Sequence, residues 1–106
     1  MPNRYSIVGT QFTGVPESFV AALKPGTPAL LVREPANQHD KNAIAVYVDG
    51  TRIGYVPKKQ NAVLAQFIDQ QGGIMQLAMD AAPTTEKAIA GTFVRSPNSG
   101  FPMVEI

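Results

Sequence analysis

The sequence has 106 residues, which predicts a single domain over residues 1–106, and nine basic against eight acidic residues give a net charge of +1. Because cysteine is absent, disulfides and thiolate metal sites are excluded, and no apolar run approaches the ~20 residues of a membrane span. A net charge this small argues against non-specific binding of nucleic acid through many phosphate contacts. The first residues lack the features of a secretory signal, so the expected location is the cytoplasm.

The chain begins with a predicted strand and a short predicted helix. The segment RYSIVGTQFTG predicts a strand with Tyr5 and Ile7 on one face, in which Gly9 and Gly14 allow a bulge or a bend. The segment PESFVAAL predicts a two-turn helix, since Pro16 suits a first helical position. The following KPGTP ends that helix.

The middle of the chain predicts a strand followed by a tight hairpin. Ala29–Glu34 alternates its side chains between two faces, and Arg33 is interpreted there as a solvated position. After the polar loop PANQHDKN, the strand Ala43–Val48 and the strand TRIGYV are joined by Asp49-Gly50. That pair is the strongest hairpin signal in the sequence, because it tolerates the positive φ of a two-residue turn.

One long helix is predicted after Pro57, over Lys58–Gln70, with Val63, Leu64, Phe67 and Ile68 as its apolar stripe and Gly72-Gly73 at its end. Ile74–Asp80, Ala88–Arg95 and Phe101–Ile106 are strand-like. Short strands with two short helices predict a mainly β fold, a small antiparallel barrel of the OB-like kind. The core candidates are Ile44, Val46, Ile53, Val63, Leu64, Phe67, Leu77 and Val104.

Enzyme and metal motifs are not supported by the sequence. The glycines of GTQFTG have the spacing of a P-loop, but Val15 and Pro16 occupy the positions of its Lys and its Ser or Thr. A zinc site would need carboxylates beside the single histidine, and the adjacent His39 and Asp40 cannot both face one ion comfortably in an extended loop. No GxSxG-type elbow supports a nucleophile. We therefore expect no catalytic residues, no metal and no cofactor.

The polar loop before the hairpin carries the functional information. EPANQHDKNAIAV, then a short turn and IGYVP before a helix, resembles the signature of the HIRAN domain family, in the stand-alone form of bacteria and phages. The order of the predicted elements fits that family across nearly the whole chain. The resemblance implies a modified OB-like barrel that binds single-stranded DNA at a free 3′ end, in DNA repair or replication-fork processing.

The resemblance also implies site residues. The end-binding acidic residue of the family falls on Asp40, which as an acceptor-only carboxylate can take a hydrogen bond from a terminal hydroxyl. The phosphate-contacting lysine of the family corresponds to Lys58. The rings of His39, Tyr55 and Phe12 can stack on bases. The end-binding relatives have an Arg and two Tyr where this chain has Thr10, Gln11 and His39, which weakens phosphate contact and stacking. The DNA-binding residues implied are Asp40, His39, Lys58, Tyr55, Phe12, Gln11 and Thr10.

Two alternatives remain open at the level of sequence. Asp and Asn side chains in such a loop often bond their own backbone in Asx-turns, which explains Asp40 without a ligand. The domain can also be a protein-interaction or scaffolding module that docks onto a separate nuclease or helicase. The near-neutral charge favours docking, whereas the polar loop followed by Lys58-Lys59 favours DNA.

Overall fold

Seven antiparallel strands form one sheet in the computed structural model, which describes residues 3–10, 13–74 and 87–106. The sheet order is β1-β7-β6-β2-β3-β4, and β5 pairs with β6 off that path. The predicted mainly β, antiparallel fold with two helices is therefore confirmed. The elements are β1 Arg4–Ser6, α1 Glu17–Ala22, β2 Pro28–Arg33, β3 Ile44–Val48, β4 Thr51–Tyr55, α2 Lys58–Gln71, β5 Gly73–Ile74, β6 Lys87–Arg95 and β7 Pro102–Glu105.

A backbone bridge joins the two outer strands of the sheet and curls it into a small barrel. Val8, which follows β1, exchanges two hydrogen bonds of 2.8 Å with Tyr55 at the end of β4. Gly54 allows this approach, because an added Cβ would lie 2.6 Å from Cγ2 of Ile7 and 2.7 Å from the carbonyl oxygen of Val8. The bridge thus pairs an edge that would otherwise present free backbone groups.

The first strand is shorter than the sequence predicts, although its faces are as expected. Tyr5 and Ile7 are both buried, and Gly9 and Gly14 have positive φ angles of 72° and 77°, which bend the chain. Pro16 precedes α1 instead of occupying its first position. Most of the predicted strand Ile74–Asp80, together with the core candidate Leu77, lies outside the described residues.

The central hairpin turns where the sequence predicts. Asp49 and Gly50 have φ angles of 53° and 74°, as a two-residue turn with both central residues in the left-handed region requires. Beyond the turn, Tyr47 pairs with Arg52 but Ala45 pairs with Tyr55, so β4 contains one extra residue. This bulge brings Arg52 and Tyr55 to the outer face of the sheet, where their side chains bond each other.

The core lies inside the barrel and beneath α2. The predicted core residues Ile44, Val46, Ile53, Leu64 and Val104 are fully buried there, which confirms them. Neither helix among the described residues is long and apolar enough to cross a membrane.

The prediction that Val63 and Phe67 of α2 belong to the core is wrong. Val63 is 63% exposed and Phe67 is 38% exposed. The helix packs on the barrel through a face rotated away from these two residues, so that a polar residue takes a buried position that the apolar pattern did not predict. The buried residues of α2 are Asn61, Leu64, Ala65 and Ile68.

Candidate nucleic-acid interface

The loop between β2 and β3 and the start of α2 form one surface depression of about 400 Å³. Of the predicted site residues, it brings together Asp40, His39 and Lys58, although Lys58 follows the whole central hairpin in the chain. His39 and Lys58 are exposed, and Asp40 is partly buried. The lining residues are Asn37, Gln38, His39, Asp40, Lys41, Asn42 and Lys58.

The carboxylate of Asp40 is held by one donor from its own loop and one from α2. Its Oδ1 accepts the N–H of Asn42 at 2.9 Å, and its Oδ2 accepts Nδ2 of Asn61 at 2.7 Å. Burial alone would raise the pKa of Asp40, but these two donors and the charges of Lys58 and Arg33 outweigh it and lower the pKa. The bond from Asn42 is the Asx-turn that the alternative explanation of Asp40 expects, so this turn is present.

Asn37 orders the turn that carries His39 and Asp40. Its Oδ1 accepts the N–H of His39 at 2.8 Å and the N–H of Asp40 at 3.1 Å. Its Nδ2 donates to Oε1 of Glu34 at 3.1 Å. Because one amide side chain bonds both ends of the turn, the backbone of the loop is fixed without a ligand.

Arg33 anchors the other side of the loop, and its interpretation as a solvated residue is wrong. Its side chain shares the inward face of β2 with Leu31 and is 5% exposed. Nη1 donates to the carbonyl of Ala43 at 2.9 Å, Nη2 to that of Lys41 at 3.1 Å, and Nε to Asp69 of α2 at 2.9 Å. The alternation of β2 places Arg33 on the same face as Leu31, but the sequence alone did not show that this face is the buried one.

Tyr55 joins the hydrogen-bond network of the loop but does not line the depression. Its hydroxyl donates to Oε1 of Glu34 at 2.9 Å and accepts from Nη1 of Arg52 at 3.0 Å. The Arg52 guanidinium carbon lies 5.6 Å from the centroid of the Tyr55 ring. Burial, and then the neighbouring Glu34 carboxylate, raise the pKa of Tyr55 to about 12. Through Glu34 and Asn37 the phenol is connected to the backbone of His39 and Asp40.

Thr10 does not lie in the depression. It lines a separate groove of about 520 Å³ with Phe101 and residues of α1. Its methyl group lies next to Gly54, where an added Cβ would be 3.4 Å away. Gln11 and Phe12, the remaining predicted site residues, lie outside the described residues.

Within the described residues, no three His, Asp or Glu side chains are grouped so that they could hold a metal ion. The fold and the depression instead define a small β-barrel domain whose polar site is built by one loop and one helix start. A family model described as "HIRAN domain" matches residues 3–95. The chain therefore belongs to the HIRAN domain family, which is generally linked to DNA binding.

Two solved structures share the fold. A protein from Lactobacillus plantarum superposes with a TM-score of 0.68 at 23% identity, covering 98% of this chain and 88% of that one. The HIRAN domain of human HLTF superposes with a TM-score of 0.61, also at 23% identity, covering 95% of this chain and 69% of that one. No curated protein matches the sequence.

Proposed function

We propose that this chain binds single-stranded DNA in the depression and recognises a free 3′ end, in DNA repair or replication-fork processing. The observation that carries the proposal is the meeting of Asp40, His39 and Lys58 in one depression that is ordered without a ligand. An anion-binding lysine beside a fixed acceptor suits a nucleic-acid terminus, which has both a phosphate and a hydroxyl. Family membership supports the nucleic-acid ligand.

The proposed role of Asp40 is to accept a hydrogen bond from the terminal hydroxyl. Each carboxylate oxygen has two lone pairs, and the described donors take one on each oxygen, so one acceptor site remains on each. Because the pKa of Asp40 is lowered, the carboxylate stays negative and acceptor-only at neutral pH. A terminal hydroxyl satisfies it, whereas a terminal phosphate meets a like charge.

The proposed role of Lys58 and the start of α2 is to hold the backbone phosphate. Lys58 is the first residue of a 14-residue helix, and among the described residues no side chain caps its N-terminus. The first N–H groups of such a helix and the lysine charge both favour an anion. His39 would stack on a base. The other predicted contacts to the single-stranded DNA stay predictions: Tyr55, Thr10, Gln11 and Phe12.

Fluorescence anisotropy with oligonucleotides that differ only in a 3′-hydroxyl or a 3′-phosphate tests the proposal. Asp40→Asn replaces one acceptor oxygen by a donor, and a hydrogen bond to a charged group is worth roughly 1.5–3 kcal/mol, so 3′-hydroxyl binding should weaken about 10- to 100-fold. The control is Lys58→Ala, which should weaken both ends alike, since a phosphate contact does not read the terminus.

Equal affinity of the wild type for the two ends, or for a circular and a linear strand of one length, would contradict 3′-end recognition. The same would follow if a folded Asp40→Asn variant kept the wild-type ratio of the two affinities. Far-ultraviolet circular dichroism of each variant excludes unfolding as the cause of lost binding.

Salt dependence separates DNA binding from the alternative of a docking module for a helicase or nuclease. Two or three phosphate contacts predict a slope of about −1.4 to −2 for log affinity against log salt, at roughly −0.7 per contact. A domain that only docks onto protein would have no measurable affinity for the oligonucleotides at low salt.

A further inference from the structure

A buried amide side chain interrupts the apolar face of α2. Asn61 is 1% exposed and shares that face with Leu64, Ala65 and Ile68. Burying an amide costs free energy unless it forms hydrogen bonds, so an apolar residue would ordinarily serve a helix better at this position. The partner that compensates for this burial therefore explains why a polar residue is present.

That partner is the carboxylate of the proposed end-binding residue. Nδ2 of Asn61 donates to Oδ2 of Asp40 at 2.7 Å. Because a carboxylate only accepts, the nitrogen of the amide must face Asp40. With Asn42 on the other oxygen, the two donors fix the plane of the carboxylate and the directions of its remaining lone pairs.

We propose that Asn61 is the positioning residue of the 3′-end site, which holds the Asp40 carboxylate in the one orientation that accepts a terminal hydroxyl and rejects a terminal phosphate. This inference rests on the proposed function. An acceptor that is already oriented loses little conformational entropy when the strand binds, whereas a freely rotating carboxylate can also turn away from a phosphate. Asn61 thus acts on specificity through Asp40 and need not touch the DNA.

Two charged side chains lower the pKa of Asp40: Lys58 on α2 and Arg33 on β2. In its own loop, the titratable neighbours of Asp40 are His39 and Lys41. Asn61 adds a neutral donor to this set. Its removal leaves the charges in place and takes away one stabilising contact of the ionised form, so Asp40 should titrate at a higher pH.

Asn61→Leu tests the inference, with two measurements on the whole chain. The ratio of affinities for 3′-hydroxyl and 3′-phosphate oligonucleotides should fall roughly 3- to 10-fold, the equivalent of one net hydrogen bond. The carboxyl resonance of Asp40, followed by NMR without DNA, should titrate at a higher pH than in the wild type. Gln60→Leu, at the exposed neighbouring position, is the matched control and should change neither quantity.

Asn61→Asp is a second variant, which tests the inference if the leucine variant fails to fold. Aspartate has nearly the same shape as asparagine. Two carboxyl groups at this distance share a proton, and the shared proton can replace the amide donor. We expect near-wild-type discrimination at acid pH, and loss of binding as the pH rises and that proton leaves. The wild type lacks the second carboxyl group and should lack this loss.

The outcomes separate the two proposals. A wild type that does not distinguish the two ends overturns the 3′-end function itself. A wild type that does distinguish them, together with an unchanged ratio and an unchanged Asp40 titration in folded Asn61→Leu, overturns the role of Asn61 and leaves the function standing.

Discussion

Replacing Arg33 by leucine should destabilise the domain by about 2–4 kcal/mol. The buried guanidinium donates to the carbonyls of Ala43 and Lys41, and hydrogen bonds to charged groups are each worth roughly 1.5–3 kcal/mol. The bond to Asp69 adds about 0–1 kcal/mol, because the side chain of that aspartate is 49% exposed and water can replace its partner. Ala43 keeps a second donor in the N–H of Glu34, and the new leucine buries apolar surface, which limits the loss.

Urea denaturation measures this change as a lower midpoint at an unchanged slope. The matched control is Arg4→Leu, which removes the 2.8 Å ion pair with Glu105, its cross-strand partner on the neighbouring strand β7. Both partners of that pair are substantially exposed, so its loss should cost at most about 1 kcal/mol. If Arg33→Leu lay within about 0.5 kcal/mol of the wild type, or if Arg4→Leu cost as much, the anchoring role of Arg33 would be wrong.

Three further results are expected. Gly54→Ala should lower the free energy of unfolding by about 1–3 kcal/mol, because its Cβ would overlap Ile7 and Val8, which follow β1. Amide exchange at the Val8–Tyr55 bridge should become faster, and unchanged exchange there would contradict the role of Gly54 in that bridge. Thermal unfolding should show that Leu64→Ala lowers the free energy of unfolding by about 2–5 kcal/mol, because Leu64 is fully buried. Val63→Ala should lower it by less than about 0.5 kcal/mol, because Val63 is exposed. In an absorbance titration, Tyr55 should ionise near pH 12. Because its pKa in the unfolded chain is near 10, the contacts of the neutral phenol stabilise the fold fully below pH 10, and this stabilisation is lost as the pH rises through 12. Glu34→Gln should lower that pKa, and an unchanged titration would refute the contact.

The candidate site was only partly accessible from sequence. The family motif named Asp40, His39 and Lys58, and these three do line one depression. The sequence pattern did not predict that Asn61 is buried, because the apolar spacing of its helix indicated a buried stripe that includes Val63 and Phe67. A buried Asn is recognisable only once its partner is known, and that partner comes from a distant loop.

Local chemistry determined what the sequence could predict by itself. The Asp49-Gly50 turn follows from which residues accept positive φ, and the faces of β3 follow from strict alternation over Ile44–Val48. The tertiary structure decided the contacts between distant segments: the Val8–Tyr55 bridge and the partners of Arg33. Such pairings depend on how the sheet curls and how α2 rotates on it, which are set by the packing of the whole core and not by any short stretch of chain.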